Sequence, residues 1–242
     1  MKELNIVYSD NYLKYDLGAD NPISKDKTMA FLQKLEEEGK IHYKLIEPAS
    51  AVVNLIGGMH HAGSYQASGF CIYNDHAVAI RKLQKEGKIK KATVYDLDVH
   101  AGQGTQEIFY SDPSVMTVSI HQDPFTIYPG TGFESQKGRE EGLGTNINVP
   151  LPPRTKEKEY LQVLDSVLDR TKNFGSDMSI LILGVDSYKG DLLGGLSLEE
   201  ESFRKIGERF RDFDKLAVLF GGGYSRKIPD LWMTFLKGYL GA

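Results

Sequence analysis

The chain has 242 residues, 40% of them hydrophobic and 26% charged, with a formal net charge of −4 at pH 7. That balance is globular and excludes a disordered chain, and its mild acidity argues against a nucleic-acid-binding surface. The one cysteine, Cys71, permits no intrachain disulfide, and neither an apolar leader nor a membrane-spanning stretch is evident. The expectation is a cytoplasmic protein with a single domain over residues 1–242, with no membrane partner.

Residues 4–8 read as a short strand, followed by a polar loop to Pro22. Ser24 is placed to cap a helix over 25–38, in which Met29, Phe31, Leu32 and Leu35 follow a helical period and Gly39 ends it. Residues 51–56 form a buried strand that runs into Gly57-Gly-Met-His60-His61. A helix over 75–86 follows, with Ala77, Ala79, Ile80 and Leu83 inward, then a strand from Ala92 and a helix near 103–110. After a strand over 115–120, residues 121–145 are rich in Gly, Pro and charge and read as a long functional loop. A short strand at 147–150, a helix at 156–172, a strand at 179–184, a helix at 197–211 capped by Ser197, a strand at 216–220 and a helix at 229–240 complete the chain. Apolar strands alternating with helices predict an α/β fold, a mostly parallel central sheet with helices on both faces.

The segment Ala92-Thr-Val-Tyr-Asp96-Leu-Asp98-Val-His100 starts apolar and ends in side chains that seek a metal. In an extended strand Asp96, Asp98 and His100 would share one face, about 7 Å apart in succession. Such a face needs either water, as on a solvated edge strand, or a cation. Polar groups fall at the ends of four predicted strands: His60-His61, Asp96 to His100, Asp186, and Gly221 to Tyr224. Ligands of open parallel sheets bind at the carboxyl ends of the strands, so these groups would meet at one rim. Asp98, His100 and Asp186 then offer three oxygen or nitrogen ligands, a set that suits Zn²⁺ and also Fe²⁺ or Mn²⁺. Five of the six histidines lie in or beside these segments, although His76 and His121 could equally be ordinary buried or surface residues.

Asp96 is a candidate partner for one histidine, fixing its tautomer and raising its pKa. Tyr224, after three glycines, could stabilise an oxyanion above a metal or simply pack beside a tight turn. The glycines of Gly102-Gln-Gly104-Thr-Gln-Glu107 invite a dinucleotide reading, but Glu107 stands where helix–strand packing wants a small residue.

Taken together, Gly57-Gly-Met-His-His-Ala-Gly, Ala67-Ser-Gly-Phe-Cys-Ile-Tyr-Asn74, Tyr95-Asp-Leu-Asp-Val-His100, Pro129-Gly-Thr-Gly132, Leu183-Gly-Val-Asp-Ser187 and Gly221-Gly-Gly-Tyr224 resemble the metal-dependent histone deacetylase family, which includes acetylpolyamine amidohydrolases and has an arginase-like α/β fold. The resemblance covers roughly residues 50–240. It implies Asp98, His100 and Asp186 as Zn²⁺ ligands and His61 as general base and acid. His60 would be its electrostatic partner, held by Asp96, and Tyr224 would polarise the substrate carbonyl. Phe70 and Tyr128 match the walls of an acyl-lysine tunnel, with Gly69 and Leu193 nearby. A structural K⁺ would take the Asp96 and Ser119 side chains and the carbonyls of Asp98, His100 and Ile120.

Two departures from the family pattern stand out. Gln103 occupies the position of the acidic or Asn partner of the second histidine, so His61 should be less basic than beside a carboxylate. Only 59 residues precede His60, and a loop that grips the substrate backbone in the family is expected to be missing. The expected function is a deacetylase acting on acetyl-lysine, an acetylpolyamine or a small acylated metabolite, with a homo-oligomer one way of closing its entrance. The alternative is a non-catalytic acyl-ligand-binding or assembly protein on the same fold.

Overall fold

The computed structural model describes residues 4–7, 25–38, 43–45 and 51–242. Eight strands form one sheet: β1 (Leu4–Val7), β2 (Tyr43–Leu45), β3 (Ala51–Asn54), β4 (Ala92–Asp96), β5 (Val115–Gln122), β6 (Asn146–Leu151), β7 (Met178–Leu183) and β8 (Leu216–Phe220). Their order is β2-β1-β3-β8-β7-β4-β5-β6, and every pairing is parallel. The six helices are α1 (Lys25–Glu38), α2 (Asp75–Lys85), α3 (Gln103–Phe109), α4 (Glu157–Thr171), α5 (Glu200–Phe210) and α6 (Ile228–Leu240).

Alternation along the central strands divides the core between two faces. Val94, Ile180, Ile182 and Leu219 pack with Ala77 and Ile80 of α2 and Phe109 of α3. Tyr95, Leu181, Leu183, Val218 and Phe220 face the opposite layer, built from α1, α4, α5 and α6. Central strands buried on both faces read as continuous apolar runs, which is why they were legible as buried strands. The α/β architecture with helices on both faces is therefore as expected. Beneath the end of β8, the Phe220 and Trp232 rings stack at 4.6 Å, and Phe31 meets both edge-on at 5.4 and 5.7 Å. This aromatic cluster fastens α1 and α6 to the strand that leads into Tyr224.

Some expectations need correction. The buried stripe of α1 is Thr28, Phe31 and Leu35, spaced three and four apart, while Met29 and, on α2, Ala79 are exposed. β2 was not foreseen, and β5 runs two residues further than expected, to Gln122. Ser197 caps no helix: its N–H donates to the Thr155 carbonyl at 2.9 Å, and α5 starts three residues later with Glu199 at its N-cap. Tyr8, the loop to Pro22, Ser24, Gly39 and the segment 46–50, where the shortened loop was expected, lie outside the described residues. No described helix is long and apolar enough to cross a membrane.

Candidate functional site

The polar strand ends converge on one rim, and each is held by a distinct local device. After β3, the Asp75 carboxylate at the start of α2 accepts from Gly58 N–H (3.1 Å) and Met59 N–H (2.8 Å), fixing the turn that carries His60 and His61. After β4 the chain leaves the strand at once. Asp98 N–H donates to Asp96 Oδ1 at 3.2 Å, and His100 N–H to Asp98 Oδ1 at 2.9 Å. Aspartate side chains compete with the sheet for nearby N–H groups in this way, so Asp96, Asp98 and His100 do not line one strand face. β4 also lies between β7 and β5, which removes the solvated-edge alternative.

Asp98, His100 and Asp186 are buried, with one ligand atom from each within 4.8 Å of the others. His100 Nδ1 lies 3.0 Å from Asp98 Oδ1 and 3.2 Å from Asp186 Oδ2. Asp98 Oδ2 accepts from Gly222 N–H at 3.1 Å and Asp186 Oδ1 from Val99 N–H at 2.9 Å. Burial raises a carboxyl, but the charges of His60 and His100 hold Asp98 below the carboxylate range. Asp186 is pushed up by burial and by the adjacent Asp98 charge. Carboxylates so deeply buried call for a cation. Space for one is built in: a Cβ on Gly222 would stand 2.3 Å from Asp98 Oδ2 and 2.5 Å from Asp186 Oδ2. Two carboxylate oxygens and an imidazole nitrogen at this open position fit a divalent metal of the Zn²⁺, Fe²⁺ or Mn²⁺ type.

Beside this group the rings of His60 and His61 lie 3.9 Å apart. His60 Nδ1 is 2.6 Å from Asp96 Oδ2, and His61 Nδ1 is 2.6 Å from Gln103 Oε1. Burial disfavours charge on His60, yet the Asp96 and Asp98 carboxylates overcome it and raise the pKa to about 9. For His61, burial and the neighbouring His60 charge lower the pKa to about 3, against opposing pulls from the Asp98 charge and the hydrogen bond to Gln103. An amide oxygen only accepts, so the Nδ1–H of His61 donates to Gln103 and Nε2 keeps its lone pair. The result is one cationic and one neutral imidazole in contact.

The Tyr224 ring stands 6.4 Å from the His100 ring and 6.5 Å from Phe70. Burial and the Asp186 and Asp98 charges push its phenol well above the usual range, so it stays a neutral O–H donor. Tyr128 packs edge-on against His61, with centroids 5.0 Å apart, and its hydroxyl bonds Ser68. Gly69 lies where a Cβ would stand 2.3 Å from the His61 ring, at φ +51°, so the chain passes the histidine without a side chain. Phe70, Tyr128 and Leu193 are half exposed, and Phe70 lines the cavity beside His60, His61 and Tyr224. Asp96 and Ser119, the expected potassium side chains, are paired in register on β4 and β5.

His76 and His121 are buried structural residues. His76 Nε2 bonds the Thr105 hydroxyl at 2.7 Å, and His121 bonds Ser119 Oγ and the Gly132 carbonyl at 2.8 and 2.9 Å. Residues that the sequence reading missed include Asp75 and Asp191, whose carboxylates accept backbone N–H groups of the rim loops, and Lys27, whose Nζ donates to the Gly223 carbonyl at 2.8 Å. The turn-forming run Asp191-Leu-Leu-Gly was a readable signal for Asp191. Lys27 gave none.

Known proteins of similar sequence and fold place the chain in one family. The histone deacetylase domain profile matches residues 6–238. The acetoin utilization protein AcuC of Staphylococcus aureus is 30% identical across 95% of this chain and 66% of its own length. The crystal structure of acetylpolyamine aminohydrolase from Burkholderia pseudomallei superposes with a TM-score of 0.74 at 30% identity, over 88% of this chain and 61% of that one. The HD domain of HDA15 superposes at 0.85 over 98% and 91% of the two chains, and at 23% identity this likeness speaks to fold alone. The chain spans between 43% and 68% of the length of the curated relatives it matches.

Proposed function

The chain belongs to the histone deacetylase family, and from that premise we propose that it is a zinc-dependent amidohydrolase releasing an acetyl or related acyl group from lysine, a polyamine or a similar amine. The observation that carries the reading is the buried Asp98–His100–Asp186 group with the His61 and Tyr224 rings 5.9 and 6.4 Å from the ring of His100. A divalent ion held by those three residues would supply Lewis acidity and a more acidic water.

The remaining chemistry belongs to the side chains. His61 Nε2, with its tautomer set by Gln103, takes a proton from the attacking water. The Tyr224 hydroxyl donates to the carbonyl oxygen as it becomes an oxyanion. The protonated His61 then returns its proton to the nitrogen of the leaving amine. His60, kept cationic by Asp96, adds positive charge next to the reacting groups and lowers the basicity of His61. Phe70 and Tyr128 flank the acyl chain, with Gly69 and Leu193 beside them. Asp96 and Ser119, with the carbonyls of Asp98, His100 and Ile120, are assigned a structural K⁺. A non-catalytic acyl binder would have no use for two histidines poised in opposite charge states.

The test is acetate release from a panel of acetyl-lysine peptides and acetylpolyamines. Release from at least one class is expected, and no release from any amide, with zinc supplied, would contradict the reading.

A further inference from the structure

The segment from Gly221 to Lys227 carries Tyr224 between β8 and α6 and contains no strand or helix of its own. Its first residues are tied to the sheet: Gly221 N–H donates to the Leu183 carbonyl at 3.1 Å, and Val185 N–H donates to the Gly222 carbonyl at 2.8 Å. Past Gly222, side chains from elsewhere take over. The N–H of Tyr224 itself donates to Asp191 Oδ2 at 2.6 Å.

Asp191 uses its two carboxylate oxygens for different purposes. Oδ1 accepts from Leu193 N–H at 2.9 Å and Gly194 N–H at 3.1 Å, a turn closed within its own loop. That turn needs only one oxygen and would be satisfied by any residue with a short acceptor. Oδ2 reaches across 33 residues of sequence to the backbone of Tyr224. A half-buried carboxylate with both oxygens engaged, joining Leu193 to the tyrosine loop, does more than close a turn. Charge-assisted bonds of this kind are short and directional, and they fix the position of what they hold.

We propose that Asp191 is a positioning residue for Tyr224, setting the phenol's place beside the Asp98–His100–Asp186 group and tying that place to the turn at Leu193 and Gly194. The proposal rests on the reading of Tyr224 as the oxyanion donor. Displacements of about 1 Å at a reacting group cost on the order of 10²-fold in rate, so a loosened tether has a measurable signature.

Asp191→Asn is nearly isosteric, but its amide offers an oxygen to only one of the two sets of N–H groups. The experiment compares wild type, Asp191→Asn, Tyr224→Phe and the double variant, all loaded with zinc. It adds fluorine NMR of protein labelled with 3-fluorotyrosine, in which the Tyr224 signal among the 13 tyrosines is assigned by its loss in Tyr224→Phe. The expected results are a fall in kcat of ~10-fold or more with KM nearly unchanged in Asp191→Asn, less than about a twofold further fall when that change is added to Tyr224→Phe, and a moved or broadened Tyr224 resonance. Losses that multiply in the double variant, or a Tyr224 resonance that stays in place, would overturn the proposal. Should wild type hydrolyse no amide while the resonance still moves in Asp191→Asn, the positioning role stands and the deacetylase reading falls. If Asp191→Asn does not fold, Asp191→Glu keeps the charge on a longer tether and is read by the same measurements.

Discussion

The floor of the site and its opening are built on opposite principles. On the floor, Asp186 is 0% and Asp98 2% exposed, and their carboxylates are met by backbone N–H groups and His100. At the outer edge, Phe70, beside Tyr224, is 51% exposed and Tyr128, beside His61, is 46% exposed. Buried charge leaves little freedom, because every polar atom must find a partner or a cation. An exposed aromatic wall loses little when it changes. Under the proposed function, the difference assigns the chemistry to where the sheet ends and selectivity to where the solvent begins.

Substitutions graded from floor to opening test that division. Asp186→Ala should remove the metal and bring turnover to background, a larger loss than any below, as read by bound zinc per chain alongside acetate release. Tyr224→Phe should lower kcat by ~10²–10³ while metal content and KM stay near wild type. A large rise in KM instead would place the phenol in binding rather than in the chemical step. Gln103→Asp puts a negative charge where the amide oxygen lies 2.6 Å from His61 Nδ1. The charge favours the imidazolium, so the His61 pKa rises from about 3 and its lone pair is lost at a higher pH. The acidic limb of kcat/KM should therefore move upward, by ~1 unit or more. A limb that stays in place would mean that His61 is not the base. Phe70→Ala, at the opening, should raise KM about fivefold with kcat preserved, since a half-exposed ring contributes roughly 1 kcal/mol of contact.

The same division explains what could be read from sequence. Asp98 and His100 were legible because two metal-seeking side chains two residues apart, just past an apolar strand, have few other uses, and Asp186 followed from its place after a second such strand. The pairings of His60 with Asp96 and His61 with Gln103 were expected and are observed. What failed was local geometry. The strand face imagined for Asp96, Asp98 and His100 gives way to two aspartate-closed turns, because a side-chain oxygen two residues back satisfies an N–H as well as a neighbouring strand does. Ser197 looked like a helix cap, but it lies in a bridge to Lys156, and α5 begins only at Glu200 with Glu199 as its cap. The turn at Asp191 was readable from its own run, but the links from Lys27 and Asp191 to the tyrosine loop span 196 and 33 residues of sequence and leave no local pattern.

The most direct measurement is a zinc titration of the metal-free protein, following bound metal and hydrolysis of an acetylated amine together. Activity should rise from background in proportion to bound zinc, reach its plateau at one ion per chain when no other metal is present, and be abolished by Asp98→Ala. Full hydrolysis in the metal-free protein, or zinc bound at that stoichiometry with no hydrolysis of any acylated amine, would contradict the account.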